Sequence, residues 1–179
     1  MKWIEHGRRT MYDSPWVRVE LADVEIPGGS RFEHHVLAMP RTSNTAVVTD
    51  NQDRVLLLYR HRFISGRWGW EVPGGWGDPG EQPIDTIRRE IEEETGWRPG
   101  QVTVMTEYYA MTGISDAHFT VFHGTGAERI GEREDKSESS RVEWVALDVV
   151  RKLAAEGEIT DGPSLAALTY FLGIYRAGI

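Results

Sequence analysis

Three glutamates, Glu90, Glu93 and Glu94, stand close together in the run Arg88-Arg89-Glu90-Ile91-Glu92-Glu93-Glu94-Thr95-Gly96-Trp97. On a helix they fall at i, i+3 and i+4 and share one face, with Cβ atoms roughly 5–6 Å apart. Two carboxylates about 6 Å apart repel by about 3 kcal/mol at an effective dielectric of ~20, a large term beside the net stability of a domain. Something cationic belongs there. Arg88 and Arg89 offset part of the repulsion from the same helix, and a cluster of hard oxygens is what Mg²⁺ or Mn²⁺ selects. Taken alone, the run reads first as a solvated charged face, the usual fate of a Glu/Arg stretch.

The elements that must hold these carboxylates are legible around them. The spacing of Ile84, Ile87 and Ile91 predicts a helix that begins after Asp78-Pro79-Gly80 and stops at Gly96, a residue suited to a left-handed cap. A second helix is expected from about Asp148 to Glu156. A third is expected from Asp161 or Pro163 past Leu172. Strands are expected at 45–49 and 54–59, joined by the turn Asp50-Asn51-Gln52-Asp53, and further on at 102–106, 119–123 and 142–147. Near the N-terminus Val17, Val19 and Leu21 alternate with Arg18 and Glu20, and a second run holds Val24 and Ile26, which reads as a hairpin or meander. Strands interleaved with helices indicate a mixed sheet covered on both faces.

Composition bounds the chemistry. The chain has 179 residues, 20 Lys+Arg against 28 Asp+Glu, a net charge of -8 and no cysteine. That length suits one domain with an elaboration. The lack of cysteine excludes disulfides, thiolate zinc sites and a thiol nucleophile, so catalysis runs on oxygen, nitrogen or a hard metal. The acidic balance argues against nucleic acid as a partner. No stretch is apolar and long enough for a membrane span, and the start lacks the apolar core of a secretory signal, so a cytoplasmic protein is expected. The acidity is also local. Residues 71–94 hold eight acids and two arginines, net -6, and residues 128–143 hold six acids and four bases, net -2; the remainder balances.

With its spacing kept, the carboxylate segment reads Gly75, five residues, Glu81, seven residues, Arg89-Glu90-Ile91, one residue, Glu93-Glu94, one residue, Gly96-Trp97. This resembles the signature of the Nudix hydrolases at every position, with Trp97 in the final apolar slot. Seven fixed letters arise by chance about once in 10⁸ placements at ordinary residue usage. The resemblance implies a Nudix-type α/β/α sandwich with a mixed β-sheet over residues 45–179, and a small N-terminal antiparallel sheet over residues 1–44. It also implies hydrolysis of nucleoside diphosphates linked to another moiety, with two or three Mg²⁺ (or Mn²⁺) per site. By the same resemblance Glu90 and Glu94 are the main metal ligands, Glu93 a further or water-mediated one, Glu81 an auxiliary one, and Gly74 lends its carbonyl. Arg89 orients the carboxylates.

Outside the signature, Trp70-Glu71-Val72-Pro73-Gly74-Gly75 and the run Gly157-Glu158-Ile159-Thr160-Asp161 resemble the ADP-ribose pyrophosphatase branch of nucleoside-diphosphate-sugar hydrolases. That resemblance makes ADP-ribose the leading substrate, giving AMP and ribose 5-phosphate; another nucleotide sugar, a dinucleotide or a nucleoside triphosphate stays open, as does a non-catalytic sensing module. It makes Glu138 the first choice of general base and Glu134 the second. Arg60, Arg62 and Arg67 are candidates to meet the diphosphate, with Glu71 and Trp70 beside them. Ala110-Met111-Thr112-Gly113 departs from the Pro-Ser-Pro-Gly usual in this branch, which bears on substrate choice. In this branch the N-terminal strands pack on a second subunit, so a homodimer is expected.

Overall fold

The computed structural model describes residues 1–133 and 139–178. Two compact units are present: Met1–Thr42 with Tyr108–His118, and Ser43–Glu107 with Phe119–Ile179. Whereas the sequence suggested a boundary at 44/45, the first unit thus also takes in a segment far along the chain.

In the first unit, β1 (Ile4–Asp13), β2 (Arg18–Glu25) and β3 (Arg31–Ala38) form an antiparallel sheet in that order. The two runs read as a hairpin are one continuous strand, β2. Its buried residues are Glu20, Ala22 and Val24, while Val19 and Leu21 are only half-buried. Glu20 is tolerated inside because the Arg8 guanidinium donates to it at 3.0 Å. Every residue of β1 is exposed, so no apolar alternation marks it in the sequence. The 108–118 segment is tied to β3 by polar contacts. His34 Nε2 donates to Gly113 O at 2.8 Å, Ser115 Oγ to Leu37 O at 2.8 Å, and Met39 N to Asp116 Oδ1 at 2.7 Å.

The second unit contains β4 (Ser43–Val48), β5 (Arg54–Arg62), β6 (Arg67–Glu71) and β7 (Gly74–Trp76), followed by α1 (Pro83–Thr95) and β8 (Trp97–Arg98). Then come β9 (Gln101–Tyr109), β10 (His118–Thr125), β11 (Glu128–Arg129) and β12 (Arg141–Ala146). Two helices close it, α2 (Leu147–Ala155) and α3 (Gly162–Tyr170), the latter running into a π-helical turn at Phe171–Tyr175. One sheet has the order β7-β4-β10-β9, with β4 parallel to β10 and antiparallel to β7; a second is β12-β5-β6, antiparallel throughout, and β8 pairs antiparallel with β11. The arrangement is the mixed α/β architecture expected. Val47, Val48, Val55, Leu56, Leu57 and Leu58 are fully buried, as continuous apolar runs covered on both faces should be. Ala46, Val48 and Leu56 pack with Ile87 and Ile91 of α1 and with Phe122, while α2 packs on β5 and β12 and α3 on β4.

Local chemistry sets the ends of α1. Pro83 occupies its first turn, where the missing N–H costs nothing. Gly96 adopts φ 75° and donates its N–H to Glu92 O at 2.9 Å, closing the helix in a conformation that a Cβ would strain. The buried stripe of Ile87 and Ile91 turns Arg89, Glu90 and Glu93 away from the core. Among the described residues no helix is long and apolar enough to cross a membrane.

Candidate active site

The carboxylates of α1 and its lead-in are divided between two arginines. Arg89 stands among three of them. Its Nε and Nη2 donate to Glu81 at 3.1 Å each, and its Nη1 donates to Glu90 Oε1 at 2.9 Å and to Glu93 Oε2 at 3.0 Å. These carboxylates, Glu81 foremost, keep the guanidinium firmly charged. Glu81 also accepts from the Asp78 N–H at 3.0 Å and the Thr86 hydroxyl at 2.8 Å. These partners, Arg89 foremost, hold its carboxyl down at about 2. Thr86 was not singled out by sequence reasoning; its place one turn into the helix after Glu81 was the available signal. Arg88 donates instead to the carbonyls of Pro99 and Gly100, anchoring the loop after the helix.

Glu94 is kept apart. It is buried, accepts from Arg60 Nη2 at 2.6 Å on Oε1 and from the Gly74 N–H at 2.9 Å on Oε2. Burial pushes its carboxyl up to about 7, against the pull of Arg60 and the Gly74 N–H toward the charged form. Gly74, expected to lend a carbonyl, is therefore seen here through its N–H. The glycines after β6 are required by close approach. A Cβ on Gly75 would lie 2.4 Å from the Glu90 carboxyl carbon, and one on Gly74 would lie 2.4 Å from Asn44 O.

Strand alternation sorts the remaining candidates. On β5, Leu56, Leu58, Arg60 and Arg62 point to the α1 side, where Arg60 meets Glu94. Glu71 pairs with Leu58 across β6 and shares that side; it is buried and takes a two-pronged pair from Arg62 at 2.9 and 2.6 Å. Tyr59 and its cross-strand partner Trp70 point the other way. There Trp68 stacks on Tyr59 at 5.4 Å, and the Arg141 guanidinium lies over Tyr59 and Trp70 at 4.4 and 4.9 Å. The structure thus sets Trp70, expected beside the substrate, on the face opposite Glu94. It also buries Arg60 and Glu71, expected at the diphosphate, in an ion-pair chain. Arg62 remains half-exposed, and Arg67 is exposed with no ion pair among the described residues. Glu138 and Glu134 lie outside the described residues.

A cleft of about 520 Å³ opens beyond the end of α1, lined by Thr95, Trp97, Arg129, Arg133, Arg141 and Trp144 among others. As to a divalent cation, the donors fit in kind: carboxylate oxygens on one helix and its lead-in, three of them sharing one guanidinium, with a glycine giving Glu90 its space. No three of the described acidic or histidine side chains converge as a ready cage, because Arg89 and Arg60 draw them to separate points.

Residues 39–168 match the NUDIX domain. Among similar proteins, the CMP-5'-(N-acetyl-N-hydroxy-3-aminopropyl)phosphonate hydrolase of Streptomyces rubellomurinus is 39% identical over 169 residues, covering 94% of this chain and 82% of that protein. The ADP-ribose pyrophosphatase of Bacillus subtilis is 27% identical, with 92% and 89% covered. A crystal structure of an ADP compounds hydrolase superposes with a TM-score of 0.86 at 17% identity over 99% of this chain and 96% of its own, a likeness of fold. With the signature glutamates gathered on α1 and the family domain spanning most of the chain, this protein belongs to the Nudix family and is a pyrophosphohydrolase similar to the ADP-ribose pyrophosphatases.

Proposed function

We propose that the protein hydrolyses the diphosphate bond of a nucleoside diphosphate sugar with the help of Mg²⁺ or Mn²⁺, ADP-ribose being the first substrate to test. The observation that carries this reading is the pairing of Glu81, Glu90 and Glu93 with Arg89 along α1 and its lead-in, with Glu94 of the same helix held by Arg60. A divalent cation held there would supply charge neutralisation at the phosphates and a lowered pKa for the water that is to be deprotonated for attack. Glu90 and Glu94 would hold it, assisted by Glu93, Glu81 and Gly74. Arg89, paired with Glu81, Glu90 and Glu93, would orient these carboxylates. Arg62 and Arg67 carry the exposed guanidinium groups suited to the diphosphate. Glu138 takes the proton from the attacking water, and the bond from phosphorus to the bridging oxygen breaks to leave AMP and ribose 5-phosphate.

A second reading has its own support. The relative at 39% identity acts, by its name, on a CMP-linked phosphonate, and Met111-Thr112-Gly113 departs from the ADP-ribose pattern. The acidic site serves either substrate, since both present a nucleotide phosphate to the same carboxylates. Incubation with Mg²⁺ and a panel of ADP-ribose, other nucleotide sugars, a CMP-phosphonate and nucleoside triphosphates, followed by product identification, separates the readings. AMP from ADP-ribose supports the first, CMP the second, and pyrophosphate from a triphosphate would overturn both. Glu138→Gln should lower kcat more than it changes KM; a larger effect of Glu134→Gln would move the base to that residue.

We also propose a homodimer formed through the first unit. There Trp3, Met11, Tyr12 and Trp16 are 48%, 55%, 57% and 62% exposed, large apolar side chains of the kind that a partner surface covers. Sedimentation at micromolar concentration showing a monomer would overturn it.

A further inference from the structure

We propose that Arg60 is a positioning residue for the metal-binding carboxylate Glu94, and that Glu71 fixes Arg60 in turn. This rests on the metal role given to Glu94 above. The three side chains belong to a chain of alternating charge, Arg62, Glu71, Arg60, Glu94, of which all but Arg62 are buried. Arg62 donates to both oxygens of Glu71, at 2.9 and 2.6 Å, and Glu71 Oε2 lies 3.6 Å from Arg60 Nε. Arg60 Nη2 then donates to Glu94 Oε1 at 2.6 Å.

Burial decides what Arg60 can do. Its side chain is 4% exposed and those of Glu71 and Glu94 are 3% and 6%. At 4% exposure the Arg60 side chain has little surface for a diphosphate, whereas that of Arg62, 52% exposed at the outer end of the chain, has more. The Arg60 contact also complements a second one. Glu94 accepts from Arg60 on one oxygen and from the Gly74 N–H on the other. A carboxylate has about four acceptor positions, so one donor on each oxygen fixes the plane of the group and leaves acceptor sites for a cation. The planar fork of arginine suits this task, because Nη2 points at Glu94 while Nε, beyond hydrogen-bond length at 3.6 Å, meets Glu71 as a charge. Partners of this kind, one step behind a metal ligand, commonly change metal affinity by about 10–100-fold when they are altered.

The test measures Mn²⁺ binding to the full chain without nucleotide, from the electron paramagnetic resonance of free Mn²⁺. Melting temperature and steady-state kinetics are recorded alongside. Arg60→Lys keeps the charge but loses the fork, and its Mn²⁺ Kd should rise about tenfold or more. Glu71→Gln keeps the shape, removes the far anchor, and should raise the Kd by a smaller factor while the protein stays folded. Glu71→Gln carries the test alone if Arg60→Lys does not fold. A purely structural pair would lower the melting temperature and leave Mn²⁺ affinity unchanged. A substrate contact would raise KM and leave Mn²⁺ affinity unchanged. Either of those outcomes overturns the positioning role. No Mn²⁺ binding by the unmodified protein would overturn the metal site itself, and the inference with it.

Discussion

Replacing Gly75 by alanine separates the carboxylate geometry from the stability of the fold. A Cβ at this position would lie 2.4 Å from Glu90 Cδ and Oε1 and 2.6 Å from Oε2, while ordinary contact begins at 3.4 Å. The Glu90 carboxylate must therefore retreat by about 1 Å. It can do so, because it is the end of a flexible side chain and no backbone atom is among the three nearest. The retreat weakens the 2.9 Å contact with Arg89 Nη1, a partly exposed pair worth about 0.2–1 kcal/mol. Against this, alanine in place of glycine restricts the unfolded chain by about 0.4–1 kcal/mol. The two nearly cancel, so the melting temperature of Gly75→Ala should stay within a few degrees of the parent. Turnover should not, since a misplacement of about 1 Å in a catalytic constellation costs on the order of 100-fold, or about 2.7 kcal/mol in the barrier. The assay is kcat with Mg²⁺ and the best substrate of the panel, run beside thermal unfolding. Turnover within threefold of the parent in a folded variant would refute the placement of Glu90 in the site. Gly74→Ala is the control: its Cβ meets the backbone at Asn44 O and Thr45 Cα, 2.4 and 2.8 Å away, so the fold itself should suffer.

Three further outcomes are expected. Arg89→Gln releases Glu81, Glu90 and Glu93 from their shared guanidinium, so stability without metal should fall by about 1–2 kcal/mol, and the rise in Tm on adding Mg²⁺ should be smaller than in the parent because the carboxylates lose the group that orients them; an equal Mg²⁺ response would count against the orienting role. Trp68→Ala, on the sheet face turned away from Glu94, should leave kcat/KM within about threefold, and a tenfold loss would place substrate on that face. His123 packs against Phe171 and Tyr175, lies 2.8 Å from Thr49 Oγ1, and is held by burial below the usual histidine range. The unfolded chain then binds a proton near pH 6.5 that the folded chain refuses, so stability from this residue is complete above that pH and is lost as pH falls toward the depressed folded value. Chemical denaturation of His123→Phe should show a shallower loss than the parent between pH 7 and 5; identical slopes would refute the assignment.

The reading of α1 from sequence succeeded because helical period, cap and chemistry lay within one short segment. Ile87 and Ile91 mark the buried stripe, Gly96 the end, and the intervening positions the carboxylate face. β1 was invisible for the opposite reason: all ten of its residues are exposed, so periodicity carried no signal. The faces of Arg60 and Trp70 were not legible, because proximity in sequence to the signature says nothing about the side of the strand on which a residue falls. Paired in β5 and β6, Tyr59 and Trp70 share one face while Arg60 turns to the other, and only the register decides which face meets α1.

By itself, then, the sequence determined the family, the helix and the set of acids that give this protein its negative charge, since all depend on local spacing. The tertiary structure decided how those acids are divided, three to Arg89 from within the same segment and Glu94 to Arg60 from a strand thirty-four residues earlier. The physical reason is burial. A carboxylate enclosed in the core needs a partner wherever the fold can bring one, and the distance along the chain to that partner leaves no trace in local pattern.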